Sequence, residues 1–216
     1  MTSLRNTWPL FGLRIETPRV TLRPPTDDDF VGLIEVVRRG VHDPSSMPFN
    51  VPWTDLPSPE RERSALQFWW RGRAEWTAAK WDLTFGVFVD GQPIGLQALH
   101  ATDFGSMRTV ESGSWLGLAW QGQGIGTEMR RAVVHFAFES LGATQVTSGA
   151  FIDNTASCRV SEKVGYQPNG TALRPRRGVP GKQQLYILTK EHWEQTKTDL
   201  PVTVLGFEQC REMFGL

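Results

Sequence analysis

The stretch Trp120-Gln121-Gly122-Gln123-Gly124-Ile125-Gly126-Thr127 constrains this chain more than any other, because three alternate glycines stand between a strand-like run and a strongly amphipathic helix. Glycine accepts backbone conformations that side chains forbid, so successive N–H groups here can turn inward. The helix that follows adds the positive end of its dipole. Together these make a cradle for a pyrophosphate. A glycine-rich bend alone is a weak signal; its place after a strand and before a helix gives it weight. Residues 109–118, Thr-Val-Glu-Ser-Gly-Ser-Trp-Leu-Gly-Leu, form the lead-in strand. The helix is expected over 127–141, with Met129, Ala132, Val133, Phe136, Ala137 and Leu141 on one face and Gly142 as its stop.

Two nucleotide readings fail on chemistry. The spacing is G-x-G-x-G rather than the dinucleotide G-x-G-x-x-G, and no Asp or Glu ends the next strand to hold a ribose. A P-loop needs Gly-Lys-Ser/Thr, and Gly126-Thr127 lacks the lysine.

The rest of the chain supplies one layered mixed fold. A short strand from Thr17 stops at Pro24 and Pro25. Thr26-Asp27-Asp28-Asp29 then caps a helix carrying Phe30, Leu33, Ile34 and Val37 on one face, closed by Gly40. Five prolines make 41–60 irregular. A helix is expected over 61–79, and Asp90-Gly91 joins strands Thr84–Val89 and Pro93–Leu99 as a hairpin. Gln145–Ile152 reads as a strand, Thr155–Val164 as a helix ended by Gly165, and Leu185–Leu188 as a strand. Residues 190–216 hold a short helix, a strand over Pro201–Val204 and an amphipathic end. The order predicts an α/β fold built around one sheet.

The charge balance, 23 basic against 23 acidic residues, excludes the uniformly basic surface of a nucleic-acid binder. Arg174, Arg176, Arg177 and Lys182 form a local basic cluster, read either as a solvated hairpin or as a contact to phosphate or an acyl carboxylate. Cys158 and Cys210 are too distant for a disulfide framework or a metal site, so a reducing, cytoplasmic setting is expected and no metal. No apolar run is long enough to predict a membrane helix, and Met1–Leu10 lacks a signal peptide's apolar stretch.

Gln121-x-x-Gly124-x-Gly126 resembles the Q/R-x-x-G-x-G/A signature of the GNAT acyltransferase superfamily. Glu111-Ser112-Gly113-Ser114-Trp115-Leu116 resembles the strand before that loop, Asn154-Thr155-Ala156-Ser157 the N-x-x-S that opens the next helix, and Lys163-Val164-Gly165-Tyr166 its ending. The likeness covers roughly 17–190, and the branch it resembles most acetylates the amino termini of ribosomal proteins. His42-Asp43-Pro44, Met47-Pro48-Phe49 and Gly206-Phe207-x-x-Cys210-Arg211 are similar to an actinobacterial subgroup that includes succinyl-CoA users.

That resemblance implies a mostly antiparallel mixed sheet splayed into a V and flanked by helices, spanning 1–216 as a single domain with 190–216 as a C-terminal extension. It implies transfer of an acetyl or succinyl group from acetyl-CoA or succinyl-CoA to a primary amine, directly and through a tetrahedral intermediate. The acceptor is a small molecule, a protein N-terminus or a lysine. In the family's manner the CoA would contact Trp115, Leu116, Gly117 and Leu118 by their main chain, the loop Gln121, Gly122, Gln123, Gly124, Ile125, Gly126 and Thr127, and the helix start Asn154 and Ser157. Glu111 is the expected general base, with His100 and Asp103 in reserve. Ser157 is the expected donor to the leaving thiolate, and Cys158 a bystander. His42, Asp43, Phe49 and Trp53 would meet the amine. A GNAT-fold protein that binds acyl-CoA without catalysis is the alternative. A homo-oligomer paired through 200–216 stays open.

Overall fold

The computed structural model describes residues 3–216. In chain order the elements are α1 (Leu4–Thr7), β1 (Arg14–Glu16), β2 (Thr21–Arg23), α2 (Asp27–Arg39), α3 (Glu60–Ala74), β3 (Lys80–Val89), β4 (Gln92–Thr102), α4 (Phe104–Met107), β5 (Thr109–Leu116), α5 (Ile125–His135), β6 (Gln145–Phe151), α6 (Thr155–Val164), β7 (Gln167–Arg176), β8 (Val179–Thr189), α7 (Lys190–Thr196) and β9 (Thr203–Leu205). The strands form one nine-stranded sheet in the order β7-β8-β6-β5-β4-β3-β2-β1-β9. All its pairings are antiparallel except β5 with β6.

The helices begin where their caps dictate. Thr26 accepts from the Asp29 N–H, and the Asp29 carboxylate accepts from the Thr26 N–H at 2.7 Å, a reciprocal pair that fixes the first turn of α2. At α6 the Asn154 side chain accepts from the Ser157 N–H, and left-handed Gly165 ends the helix. α3 stops at Ala74 rather than 79, because Lys80 already enters β3 and Trp81 is buried among Trp76, Phe104 and Phe214. α5 starts at Ile125, and its last turn widens into a π-helical turn over Phe136–Ser140. The core lies between α5 and the sheet, where Phe85, Phe136, Phe207 and Phe214 meet. A smaller apolar cluster of Phe30, Leu33, Ala65, Trp69 and Leu96 packs α2 and α3 on β4.

The β5–β6 pairing positions everything described below. It lasts for three register pairs, Thr109↔Gln145, Val110↔Val146 and Glu111↔Thr147, and then stops. Beyond Glu111, β5 keeps β4 on one edge, as far as Gly95↔Leu116, and has no strand on the other. The two parallel strands therefore part into an open V. β9 joins the far edge of the sheet through β1, so residues 203–205 extend the sheet within the same chain.

Gly95 sets how closely β4 approaches β5 at the open end. A Cβ there would lie 2.3 Å from the Trp115 carbonyl oxygen and 2.9 Å from Leu116 Cα. Gly95→Ala is expected to lower stability by about 1–3 kcal/mol, the range for overpacking, in chemical denaturation. An unchanged midpoint would show that β5 can move aside freely.

Candidate functional site

Alternation along β5 sorts its side chains onto two faces of the sheet. Glu111, Gly113 and Trp115 share one face. Ser112, Ser114 and Leu116 share the other, where Arg130 of α5 bonds both serines. The V is therefore open from two sides with different chemistry.

On the α5 side, the loop after β5 behaves as its glycines require. Gly122 and Gly124 hold φ of +74° and +81°, and a Cβ at Gly122 would meet nothing within 4 Å. The Gln121 N–H donates to Leu118 O, and those of Thr127 and Glu128 donate to Gly124 O. Between them, the N–H groups of Gly122, Gln123, Gly124, Ile125 and Gly126 have no acceptor among the described residues. They stand at the N-terminus of α5, an arrangement that fits a pyrophosphate in both charge and space.

Sequence reading missed a cation beside this loop. Arg19 donates to the Gln123 carbonyl at 3.0 Å, is anchored by Glu128 at 2.5 Å, and reaches 3.4 Å from where a Gly124 Cβ would stand. Its anchor lies 109 residues away, so no local pattern announces it. Gln121 takes a different part from the one expected. Its side-chain amide donates to Leu116 O and Val41 O, tying the loop to the end of β5 and to the chain after α2. The main chain of 115–118 is also partly committed, since Gly117 N–H donates to Ile94 O and Leu118 N–H to Gly40 O. Those two donors are thus unavailable for strand-like pairing with a ligand.

α6 brings Ser157 to the same side. Its hydroxyl has no partner among the described residues, while Asn154 is occupied as the cap. Next to it, Cys158 Sγ points to the Phe151 carbonyl at 3.7 Å.

On the opposite face, register places Asp82, His100 and Glu111 in one row across β3, β4 and β5. Asp82 Oδ1 lies 3.0 Å from His100 Nδ1. Burial disfavours the charged imidazole, but the Asp82 hydrogen bond and charge, with the charge of Glu111, outweigh it and raise the His100 pKa above its ordinary value. Glu111 is exposed and occupies the last paired rung, at the apex of the V. Asp103 lies beyond the end of β4, where its left-handed backbone caps α4.

The loop 41–60 overhangs this face. Phe49, Trp53 and Trp115 form an aromatic row, with centroids 5.4 and 6.2 Å apart. The His42 ring and one oxygen of the exposed Asp43 carboxylate are engaged inside the loop. The His42 ring nitrogens contact Asp43 O and Thr54 Oγ1, and the Asp43 carboxylate, held below the usual range by the Ser45 N–H and hydroxyl, bends the chain. The β7–β8 hairpin clamps the loop in place, since Arg177 grips Asp55 with two bonds of 2.7 Å and Gln183 donates to Asn50. Arg176 pairs with Asp153. Two of the four basic residues singled out in the hairpin are thus committed to protein carboxylates.

Residues 19–167 match the family model described as "Acetyltransferase (GNAT) domain". Bacillus subtilis (strain 168) YdaF, named a candidate ribosomal N-acetyltransferase, is 33% identical over 115 residues, covering 52% of this chain and 62% of that protein. YjcK of the same organism, named a probable N-acetyltransferase, is 37% identical over 92 residues, covering 42% of this chain and 51% of that protein. The chain thus spans about half to three fifths of the length of these curated relatives. Mycobacterium smegmatis RimJ, solved in complex with CoA-disulfide, shares the fold at a TM-score of 0.66 and 18% identity, over 92% of this chain and 91% of that one.

In an NMR titration His100 is expected to titrate above the ordinary histidine value of about 6.5, and Asp82→Asn to bring it down. Because the folded value is the raised one, the stability this pair contributes is full below the unfolded pKa and fades as pH rises through the folded pKa. A His100 pKa at or below the ordinary value would contradict the row described here.

Proposed function

The chain belongs to the GNAT acetyltransferase family, and from that premise we propose that it transfers an acetyl group from acetyl-CoA, as co-substrate, directly to a primary amine. The observation that carries this reading is the run of unengaged N–H groups over Gly122–Gly126, opening at the head of a V with acidic and aromatic groups behind it. The pyrophosphate of the co-substrate would rest on that run with Arg19 beside it, and its acyl end would reach the apex where Glu111 and Thr147 form the last rung. The name of YdaF, a ribosomal N-acetyltransferase, supports an amine of the ribosome as acceptor, and a protein N-terminus is the amine proposed.

The amine enters past Phe49, Trp53 and Trp115. An α-amine titrates near ~8 and is mostly protonated at neutral pH. Glu111 accepts its proton, directly or through one water, and the freed lone pair attacks the thioester carbon. A tetrahedral adduct forms and collapses, the C–S bond breaks, and the electron pair leaves on sulfur, where the Ser157 hydroxyl donates. His100, hydrogen-bonded to Asp82, stands beside Glu111 in the same row. A succinyl donor would need a cation for its second carboxylate. Of the hairpin's basic residues only Arg174 and Lys182 lack an ion pair among the described residues.

The test is turnover of acetyl-CoA with a short peptide bearing a free α-amine, with succinyl-CoA compared in the same assay. Glu111→Gln is expected to lower kcat at neutral pH by about 10²–10⁴-fold, the usual worth of a general base. The deficit should shrink as pH rises past ~8, where the amine is already neutral. Full turnover by Glu111→Gln at every pH would remove Glu111 from the mechanism.

A further inference from the structure

The loop between α2 and α3 crosses the V on the face of Glu111. Glu111 pairs with Thr147, so Thr147 and Gly149 of β6 share its face, with Gln183 and Leu185 of β8 beside them. On the β5 arm the loop is held at three places. Gly40 O accepts from the Leu118 N–H, Val41 O accepts from the Gln121 side chain, and the Trp53 ring stands 6.2 Å from that of Trp115. Its other fastenings lie on the far arm. Gln183 donates to Asn50 at 2.7 Å, and Arg177 donates twice to Asp55 at 2.7 Å and once to Pro44 O at 3.0 Å. The loop is thus a bridge tied to both arms of the V.

Arg177 stands where the local backbone does not favour it. Arg176 pairs with Val179, so Arg177 and Gly178 form a two-residue turn, with φ of +49° and +79°. Such a turn needs left-handed backbone at both places and prefers Asn, Asp or Gly at the first. What the arginine does there is reach across to Asp55 and Pro44. The ion pair is exposed, at 36% and 41%, so salt screens it and it adds little to the stability of the fold. Its effect is on where the bridge sits. Beneath the bridge the floor is bare, since β5 presents Gly113 between Glu111 and Trp115, and β6 presents the exposed Gly149 beyond Thr147.

We infer that the bridge selects the acceptor by width, so that an amine on an unbranched carbon reaches Glu111 beneath residues 50–55 in preference to one whose neighbouring carbon carries a bulky group. This rests on the proposed transfer to a primary amine at Glu111. Arg177 and Asp55 are positioning residues. Neither touches the acceptor, and both act by fixing Asn50 and Trp53 over the two glycines.

The test compares kcat/KM for two peptides that differ only in a first residue of glycine or valine, with acetyl-CoA saturating. The unaltered protein is expected to favour the glycine peptide by about 10–200-fold, the range for discrimination by size alone. Arg177→Gln and Asp55→Asn untie the bridge and should each lower that ratio several-fold. Gly113→Val should raise it, because a Cβ there has room, with His100 Nε2 nearest at 3.9 Å, and the larger side chain narrows the passage. High salt should lower the ratio in the unaltered protein and leave it unmoved in Arg177→Gln. Any effect of salt on acetyl-CoA cancels in the ratio, since both peptides meet the same co-substrate. The salt comparison on the unaltered protein also needs no variant, so it decides even where a substitution disturbs folding. A ratio near one in the unaltered protein, or a ratio that neither salt nor the untied variants change, would overturn the inference and leave acetyl transfer standing. No turnover of either peptide would overturn the proposed acceptor and the inference with it.

Discussion

The structure depends on where two parallel strands stop pairing. β5 and β6 share hydrogen bonds only as far as Glu111 and Thr147. An unpaired strand edge inside a sheet leaves backbone donors and acceptors without partners, which is costly unless something else covers them. Here side chains line the start of the opening, with Ser112 on Thr147 O and Ser148 on Ser112 O. Further out β5 has no strand on that edge. The same parting makes the site two-sided: a phosphate-receptive loop and a buried cation on the α5 face, an acidic and aromatic wall on the other.

Legibility in the sequence followed how local each determinant is. The capping pair Thr26–Asp29 spans one helical turn, and the glycine loop's conformation is set by its own residues, so both were readable. β1 is three residues long and exists because β2 and β9 flank it, which no local pattern records. The β7–β8 hairpin carries Pro168, Gly170, Pro175, Gly178, Pro180 and Gly181 and reads as loop. It forms because β7 is an edge strand, where a missing N–H can face solvent, and because β8 is templated by β6.

The site divided in the same way. Glu111 and Ser157 are singled out by the family resemblance, the loop glycines by their own spacing. Asp82 and His100 become a pair only through the β3–β4 register, and Arg19 only through contact with Glu128. Arg130 did leave a trace. It sits three and seven residues before Val133 and Ala137, on the apolar stripe of α5, where a charged residue breaks the pattern. His42 and Asp43 looked like substrate contacts because they are polar residues in a proline-rich loop, yet their hydrogen bonds close within the loop. Beside them in the loop Phe49 and Trp53 stand in a row with Trp115.

The central claim is that the Gly122–Gly126 cradle holds the pyrophosphate of an acyl-CoA. It is tested most directly by calorimetric titration of the protein with CoA, set against the Gly124→Val variant. Left-handed Gly124, with Arg19 already at 3.4 Å from its Cβ direction, leaves no relaxed place for a branched side chain. The account predicts saturable binding by the unaltered protein and its loss in the variant, with folding retained by circular dichroism. Equal binding by both would contradict the assignment of the loop, and no binding by the unaltered protein would contradict the proposed activity itself.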